Sequence, residues 1–576
     1  MRGYLSKLEL QWLPLCHQIS SLHHLNQFIS LAIVSALFHS PRCLPLLNSK
    51  LHSLALGPCP NLAISLYDAI RAHGVAPDNY TFTSALKAAA RLFTPQRGGE
   101  IHSLSFKLGF ESDTFVLNSL IHMYSVCGLL EHARKAFDLA PDFSRDVVSW
   151  NSMISGYSQS NHCDEALRIF GKMVGSSIRM DAMTPVGALI ACGRRNDLDT
   201  GRKIHALVVV NGFDLDFYLG SSLVSMYAKC GFVDLARRLF DGMPQRNVVC
   251  WTSIISGYAH SGLFIESIEL FRQMQMQGVK ADSATIASVV SSCAQVGALN
   301  QGRYLHAYCD TNGLGVILNV KNALIDMYSK CGDIERALQI FRGLVQRDVF
   351  SWTVMISGLA MNGYSKEALD LFWQMEVLVD VMPNEITFLG VLSACSHGGL
   401  VEKGYYYFNY MTKVYGLTPK IEHYGCMVDL LGRAKLVDQA EQFIKEMPIE
   451  PDAVIWRSLL FACRANGNVI LAEFAADRIL ELEPRRCGSH VLLSNVYAST
   501  SKWDAVNRVR RVMYNNSIQK QPGCSFIEVN GIVNEFMVSD TLHPQITVVH
   551  GALSGLNRLL FSETCLADDL QLHANI

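Results

Sequence analysis

The sequence predicts an all-α solenoid of about twelve two-helix repeats, and three observations lead to this prediction. Short motifs recur along the chain at a nearly constant spacing. Within each recurrence, apolar residues follow the i, i+3, i+4, i+7 spacing of a helix with one buried face. Hydrophobic residues make up 49% of the 576 residues and charged residues only 17%, which fits helices buried mostly between other helices. Because each repeat packs only on its neighbours, such a length needs no single large core.

Three interleaved markers define the period. Trp150, Trp251 and Trp352 stand 101 residues apart, and each is followed by Ile-Ser-Gly. The other two markers are Met-Tyr-x-x-Cys-Gly, beginning at Met123, Met226 and Met327, and Gly-x-x-[Ile/Leu]-His, ending at His102, His205 and His306. A period near 101 residues is too long for one solenoid repeat. It divides into three related units of 35, 35 and 31 residues.

Each unit is predicted to be a helical hairpin. In the second helix of one unit, Ala166, Ile169, Phe170 and Met173 form a single apolar stripe. A first helix is predicted roughly over 150–157. Glycines are expected to cap helix ends at Gly278, Gly313 and Gly416. The tryptophans are expected in the core. The three histidines are expected in packing or capping roles, and Cys127, Cys230 and Cys331 at tight turns between helices.

The two ends of the chain depart from this pattern. Residues 1–43 hold one acidic residue, Glu9, and many serines, which predicts either an organellar transit peptide or a degenerate first repeat. No apolar run approaches the ~18 residues of a membrane-spanning helix. Near the other end, Ser525–Val529 and Ile532–Val538 flank Asn530-Gly531, a type I′ turn signal that predicts a β-hairpin.

With these motifs the units resemble pentatricopeptide repeats of the plant PLS subclass, which implies a right-handed superhelical solenoid. The array spans 44–452, and the unit types are P (44–78, 147–181, 248–282, 349–384), L (79–113, 182–216, 283–317, 385–420) and S (114–146, 217–247, 318–348, 421–452). Residues 453–521 resemble E motifs, which are TPR-like helical pairs. Residues 522–576 resemble a shortened E+ extension with a divergent tail.

The resemblance implies a factor that binds single-stranded RNA and selects a cytidine in organellar transcripts for C-to-U editing. In this family each repeat reads one base, mainly through its fifth and last residues, while the second residue stacks on the base. An Asn amide both donates and accepts hydrogen bonds, so it can match a pyrimidine edge. A Thr hydroxyl is shorter and suits a purine.

This rule, in which the fifth and last residues of a repeat read one base, is called the code below. Applied to this chain, the code gives eight pairs and four stacking residues. Pyrimidine readers are Asn48 with Asp78, Asn118 with Asp146, Asn151 with Asp181, and Asn322 with Asp348. Thr252 with Asp282 is expected to read G, as is Thr83 with Asp113 in an L-type unit, whereas Ser221 with Asn247 and Thr353 with Asn384 are expected to read A. The stacking residues are Val148, Tyr218, Val249 and Phe350. The predicted site is 5′-Y-g-Y-Y-n-A-G-n-Y-A-n-n-3′.

The sequence does not predict a catalytic site. A zinc deaminase needs H-x-E and P-C-x-x-C, yet none of the 19 histidines begins H-x-E and no C-x-x-C is present. The family's DYW deaminase domain would follow Pro522-Gly523, and only 32 residues follow Pro544. The resemblance therefore implies a DYW-type deaminase recruited in trans through the E region, with no metal or cofactor of the chain's own. Multiple organellar RNA editing factors are implied as helpers.

Other functions and locations stay open from sequence alone. The net charge of −2 argues against wrapping duplex nucleic acid on a broad basic face. RNA splicing, stability or processing is an alternative outcome of RNA binding, and a protein-interaction scaffold is an alternative to RNA binding itself. The expected location is the mitochondrion, with the chloroplast as the alternative.

Overall fold

Paired helices run through almost all of the chain in a computed structural model of the protein. The structure describes residues 21–34, 43–176, 178–214, 216–377, 381–483, 487–516, 518, 524–529, 532–537, 545–556 and 558. The chain divides into two compact units, residues 1–262 and 263–576.

The N-terminal unit contains fourteen α-helices among its described residues. They are α1 Leu22–Val34, α2 Cys43–Leu56, α3 Pro60–Ala72, α4 Asn79–Arg91, α5 Pro95–Lys107, α6 Thr114–Val126, α7 Leu130–Leu139, α8 Val147–Gln159, α9 Cys163–Val174, α10 Thr184–Arg195, α11 Leu198–Val210, α12 Phe217–Lys229, α13 Val233–Gly242 and α14 Val248–His260. A short 3-10 turn lies at Asp142–Ser144.

The C-terminal unit continues the same alternation, which is followed by a small sheet and a further helical stretch over residues 546–556. Its helices are α15 Phe264–Met276, α16 Ser283–Val296, α17 Leu299–Thr311, α18 Leu318–Lys330, α19 Ile334–Arg342, α20 Val349–Met361, α21 Ser365–Val377, α22 Glu385–Gly398, α23 Val401–Lys413, α24 Ile421–Arg433, α25 Val437–Lys445, α26 Ala453–Asn466, α27 Val469–Leu482, α28 Cys487–Ser499 and α29 Trp503–Asn515. The strands are β1 Cys524–Val529 and β2 Ile532–Met537, and a 3-10 turn lies at Leu314–Val316.

The helix boundaries follow from local capping chemistry. A helix leaves its first backbone N–H groups without partners, and an Asp or Asn side chain just before it accepts from them. Asp146 begins α8 in this way, because its carboxylate accepts from the backbone N–H of Ser149. At the turns inside the hairpins, Gly128, Gly231 and Gly332 have φ of 77°, 78° and 83°, values that favour glycine.

These boundaries confirm most of the local predictions. The predicted helix over 150–157 is α8, which begins and ends slightly further out. Gly278, Gly313 and Gly416 all have positive φ at helix ends. Cys127, Cys230 and Cys331 occupy C-terminal cap positions, immediately before the turn glycines.

The predicted tryptophans lie in the core, where each meets a phenylalanine edge to face. The ring centroids are 4.9 Å apart for Trp150–Phe137, 4.7 Å for Trp251–Phe240 and 5.1 Å for Trp352–Phe341. An arginine covers each phenylalanine, with guanidinium-to-ring distances of 5.2 Å for Arg145, 4.8 Å for Arg246 and 4.9 Å for Arg347. The tryptophan motif therefore marks an aromatic junction between consecutive repeats, not a surface for RNA bases.

Every third hairpin has a shorter second helix, which repeats the three-unit period in the structure. The second helices α7, α13, α19 and α25 have 9 or 10 residues, whereas those of the other hairpins between residues 43 and 445 have 12 or 13. The short helices fall in the units of 31 to 33 residues. Unit length is thus adjusted in the second helix and the loop after it.

The C-terminal hairpin is antiparallel and contacts a helix far earlier in the sequence. The predicted hairpin is present, and its register pairs Cys524 with Met537 and Val529 with Ile532. The Glu528 carboxylate accepts from the backbone N–H groups of Asn300 (2.6 Å) and Gln301 (2.7 Å). The residue before α17 is Ala298, which has no side-chain acceptor, so Glu528 caps this helix in its place. The Asn530-Gly531 turn lies outside the described residues.

The N-terminal predictions are covered only in part. Residues 1–20 lie outside the described residues, so the transit peptide stays a prediction, while α1 follows directly after them. Among the helices that the structure describes, none is long and apolar enough to cross a membrane.

Candidate nucleic-acid interface

In four predicted base-reading pairs, a hydrogen bond joins the fifth residue of the unit to its last residue. The Asn Nδ2 group donates to the carboxylate of the last residue in every case. The distances are 2.8 Å and 3.0 Å for Asn48–Asp78, 3.1 Å for Asn118–Asp146, 3.0 Å for Asn151–Asp181 and 3.4 Å for Asn322–Asp348. The predicted pairing of fifth and last residues is therefore present in these four units.

The helical hairpin itself brings the two positions together. The fifth residue lies one turn into the first helix of its unit, whereas the last residue caps the first helix of the next unit. Asp146 accepts both from the Ser149 backbone N–H (2.9 Å) and from Asn118 Nδ2. The carboxylates thus have a capping role of their own, while Asn118 and Asn151 lie inside helices and cap nothing.

The surroundings of Asp348 favour its ionised form. Burial alone would raise the pKa of this carboxyl, but hydrogen bonds from the side chain and backbone of Ser351 and from Asn322 lower the pKa below its ordinary value. The carboxylate consequently stays an acceptor at neutral pH. It holds one N–H of the Asn322 amide and leaves the amide a second N–H.

In two other predicted pairs, the fifth and last residues bond to other groups and not to each other. The Thr83 hydroxyl donates to the Asn79 carbonyl (2.6 Å), and Asp113 accepts from Asn79 Nδ2 instead (3.0 Å). The Ser221 hydroxyl donates to the Tyr218 carbonyl (3.0 Å), away from Asn247. Short hydroxyls on a helix reach the carbonyl of the preceding turn more easily than a neighbouring unit.

The remaining two pairs, Thr353 with Asn384 and Thr252 with Asp282, differ from those above and from each other. Thr353 reaches Asn384 only through Thr387, whose hydroxyl is 2.8 Å from Thr353 Oγ1 and 3.0 Å from Asn384 Oδ1. Thr252 lies in the N-terminal compact unit and Asp282 in the C-terminal one. Asp282 caps α16 by accepting from the Thr285 backbone N–H (2.8 Å).

All four predicted stacking residues are exposed, although they are apolar. Val148, Tyr218, Val249 and Phe350 are 52%, 53%, 51% and 60% exposed. Four more large side chains at the same phase of other units are exposed and were not predicted: Tyr80, Phe115, Met183 and Ile386. Each of them is the second residue of its unit, two positions after the capping residue. That constant position is the sequence signal that would have predicted them.

Around Asn151 these positions line one open groove. Val148 and Asn151 contribute from α8, Asp181 from the end of the same unit, Met183 from the start of the next unit, and His122 from α6 of the preceding unit. A second, a fifth and a last residue therefore face the same space. The groove offers an amide, a carboxylate and apolar surfaces, which suit a planar ring with polar edges.

The recurring histidines serve packing, as predicted. Nδ1 of His102, His205 and His306 lies 2.9, 2.9 and 3.0 Å from the hydroxyls of Tyr124, Tyr227 and Tyr328 in the following unit. Burial lowers the pKa of all three imidazoles, which favours their neutral forms. Within the described residues, no group of three His, Cys, Asp or Glu side chains could hold a metal ion.

Known proteins are similar in sequence to this chain over most of its length. A mitochondrial pentatricopeptide repeat-containing protein of Arabidopsis thaliana is 40% identical over 494 residues, which is 86% of this chain and 77% of the relative. A chloroplastic one from the same plant is 38% identical over 546 residues, covering 89% of this chain and 73% of the relative. This chain belongs to the pentatricopeptide repeat family.

Family patterns locate the repeats of this pentatricopeptide repeat protein. The PPR repeat matches residues 115–141, 148–178, 221–248, 321–349, 350–378 and 422–450, and the PPR repeat family pattern matches 246–295. The E motif matches residues 466–528, which overlap both the predicted E motifs and β1.

Solved structures of the family resemble this pentatricopeptide repeat protein more distantly. The maize protein PPR10 is 15% identical with a TM-score of 0.48, covering 87% of this chain and 83% of that chain. The same maize protein in complex with an 18-nt psaJ RNA element gives a TM-score of 0.32, covering 89% and 69%. At these values the likeness adds nothing to the family assignment.

Proposed function

We propose that this protein is a sequence-specific single-stranded RNA-binding factor that selects a cytidine in organellar transcripts for C-to-U editing. The observation that carries RNA reading is the four Asn–Asp pairs, set beside a series of exposed apolar residues at the second position. In these four units the polar groups are already held in place by hydrogen bonds, and they lie next to apolar stacking surfaces. This combination suits unpaired bases.

The reading positions differ in how accessible they are. Asn118 and Asn151 are half-buried, whereas Asn48 is 8% exposed and Asn322 is fully buried. A base can reach Asn322 only when the first helices α18 and α20 move apart. We therefore expect the units at 114–146 and 147–181 to engage RNA first and the unit at 318–348 to engage it with a change in helix spacing.

Editing is the outcome that the E motif supports best. The match at 466–528 lies after the last repeat match, and exposed apolar side chains within it, such as Ile470 and Trp503, offer a surface for a protein partner. We propose that a DYW-type deaminase docks there in trans and that multiple organellar RNA editing factors assist on the L-type units of a PLS array. Splicing, stability or processing of the RNA is the second candidate.

The names of the relatives support an organellar location. Four of the similar Arabidopsis thaliana relatives are named mitochondrial, and another is named chloroplastic. We propose the mitochondrion, with the chloroplast as the alternative. Organelle import of a fusion that carries residues 1–43 at its N-terminus would decide between them.

The test is binding of the full chain to a 12-nt RNA with the site 5′-Y-g-Y-Y-n-A-G-n-Y-A-n-n-3′. The matched competitor has purines at the third and fourth nucleotides. Asn118→Thr and Asn151→Thr should each move preference toward a purine at one nucleotide, by roughly ten- to a hundredfold in the affinity ratio, the range of one base contact. Electrophoretic mobility shift at fixed salt measures it.

Two outcomes would contradict the proposal. Equal, weak binding to both RNAs would remove base reading and favour a protein-interaction scaffold. Specific RNA binding without any effect on cytidine conversion, when the protein and a DYW-type deaminase are supplied together, would leave RNA processing as the function.

A further inference from the structure

We infer that the third residue of the following repeat is a positioning residue for base reading where its hydroxyl fixes the amide of the preceding fifth residue, as Thr81 and Ser149 do. The inference rests on the proposed function and names a determinant beyond the second, fifth and last positions. It follows from a difference between two sets of Asn–Asp pairs that are otherwise alike.

In two units the amide is held at both of its polar atoms. The Thr81 hydroxyl is 2.7 Å from Asn48 Oδ1, and the Ser149 hydroxyl is 2.5 Å from Asn118 Oδ1. The carboxylate of the last residue accepts from Nδ2 of the same amide. With oxygen and nitrogen both engaged, a rotation of the amide about its terminal torsion would break two hydrogen bonds. We call these two the clamped units.

In two other units the amide is held only at its nitrogen. The Thr184 hydroxyl donates to Asp181 (2.8 Å), and the Ser351 hydroxyl donates to Asp348 (2.7 Å). The oxygens Asn151 Oδ1 and Asn322 Oδ1 are buried without a hydrogen-bond partner. These amides can turn without breaking a bond at oxygen. We call these two the open units.

The two sets share the capping contact, so the clamp is the difference between them. Thr81 and Ser149 also lie within reach of their capping carboxylates, at 2.9 Å from Asp78 and 3.0 Å from Asp146. Removing any of the four hydroxyls therefore takes away one contact to a cap. Only in the clamped units does it also release the amide oxygen.

A fixed amide has a consequence for recognition. Because the terminal torsion of Asn is broad, a free amide can present either oxygen or nitrogen to a base. The clamp holds the amide in one orientation, in which Nδ2 keeps a free N–H for a pyrimidine acceptor. The amide then needs no reorientation when the RNA binds. Clamped units should discriminate between bases more sharply than open units with the same Asn and Asp.

The chain provides matched pairs for the test. Thr81→Val and Thr184→Val compare a clamped with an open threonine, and Ser149→Ala and Ser351→Ala do the same for serine. For the full-length protein, affinity is measured for RNAs that carry U, C, A or G at the first, third, fourth or ninth nucleotide of the site. Thermal unfolding of each variant measures the stability that is lost with the hydroxyl's contact to the capping carboxylate, a loss that all four variants share.

The clamped variants should lose discrimination at their own nucleotide. Thr81→Val and Ser149→Ala should lower the U-to-A affinity ratio there by about three- to tenfold, the range of one neutral hydrogen bond. Thr184→Val and Ser351→Ala should change their ratios less than about twofold, and Thr81→Ser should restore the wild-type ratio.

Failure of the inference can be told from failure of the proposed function. If Asn118→Thr shifts base preference but Ser149→Ala does not, base reading stands and the clamp is wrong. Equal losses of discrimination in all four hydroxyl variants would also overturn the clamp, because the shared cap would explain them. If neither Asn118→Thr nor any hydroxyl variant changes base preference, base reading itself fails.

Discussion

Units that carry an Asn–Asp pair and the predicted L-type units (79–113, 182–216, 283–317 and 385–420) are built from the same helical hairpin but use their polar side chains differently. In the former, Asn118 and Asn151 point across the start of the next first helix to its capping carboxylate. In L-type units the fifth residue is Thr83, Val186, Ala287 or Leu389, and none reaches the next cap.

The polar groups of the L-type units stabilise the ends of neighbouring helices instead. Arg91 donates to the carbonyls of Ala55 (2.7 Å) and Gly57 (2.6 Å), which end α2. Arg194 donates to the carbonyls of Ser158 and Gln159, and His397 Nδ1 lies 2.8 Å from the Ala360 carbonyl. The comparison teaches that the hairpin tolerates either choice at the fifth position, so that position is available for recognition.

Core substitutions should cause the largest losses in the free energy of unfolding, and the losses should be similar in the two kinds of unit. Trp352→Ala in a P-type unit and Phe388→Ala in an L-type unit each remove a buried aromatic ring. Each is expected to lower the free energy of unfolding by about 3–5 kcal/mol, measured by urea denaturation of the full chain. A much smaller loss for Phe388→Ala would mean that L-type units are loosely packed.

An exposed aromatic residue supplies the control for that experiment. Phe350 is 60% exposed two residues before Trp352. Phe350→Ala should change the free energy of unfolding by less than about 0.5 kcal/mol. Its effect should fall on RNA affinity instead, by about 1–3 kcal/mol if a base stacks there.

The next effect should be confined to L-type units. Arg194→Met would leave the carbonyls at the end of α8 without their charged donor, and Ser158 is buried. We expect a loss of about 1–3 kcal/mol in the free energy of unfolding. The neighbouring Arg195 pairs with the exposed Asp164, so Arg195→Met should cost no more than about 1 kcal/mol. Equal losses would contradict a bracing role for Arg194.

The smallest effect should be a pH dependence of stability. Burial lowers the pKa of His205 in the folded state, so its neutral form contributes stability that is complete above the ordinary pKa of about 6.5. That contribution is lost as pH falls through the lowered pKa of the folded state. The Tm of wild type should therefore fall more between pH 7.5 and 5 than that of a His102, His205 and His306 triple Gln variant. Parallel pH profiles would remove this role.

Periodicity was sufficient to predict the repeats, because the apolar stripe and the turn glycines are fixed by helix geometry and can be read from one chain. The burial of the tryptophans followed from their helical spacing, whereas the Asn–Asp pairs were predicted from the resemblance to pentatricopeptide repeats. The third-residue hydroxyls were missed because Thr81 and Thr184 are identical in sequence, and only side-chain geometry separates one that reaches the amide from one that does not.

Two predicted pairs have no direct hydrogen bond between their members, and one physical reason explains both. The code pairs Thr83 with Asp113 and Ser221 with Asn247 by position alone. A Thr or Ser hydroxyl inside a helix has a carbonyl of the preceding turn within reach, whereas the longer Asn side chain extends to the next unit. Side-chain length therefore decides which pairs form, and position does not show it.

The capping of α17 by Glu528 bears on how the protein is made. A ribosome releases residues 299–311 long before it has added residue 528, so during synthesis this helix begins with two backbone N–H groups that lack their final acceptor. Other second helices, such as α11 with Asp197, carry their own cap and are complete as soon as they emerge. The repeat array is therefore finished only after translation has passed its last repeat, and a nascent chain arrested before residue 528 would leave one helix near the middle of the array uncapped.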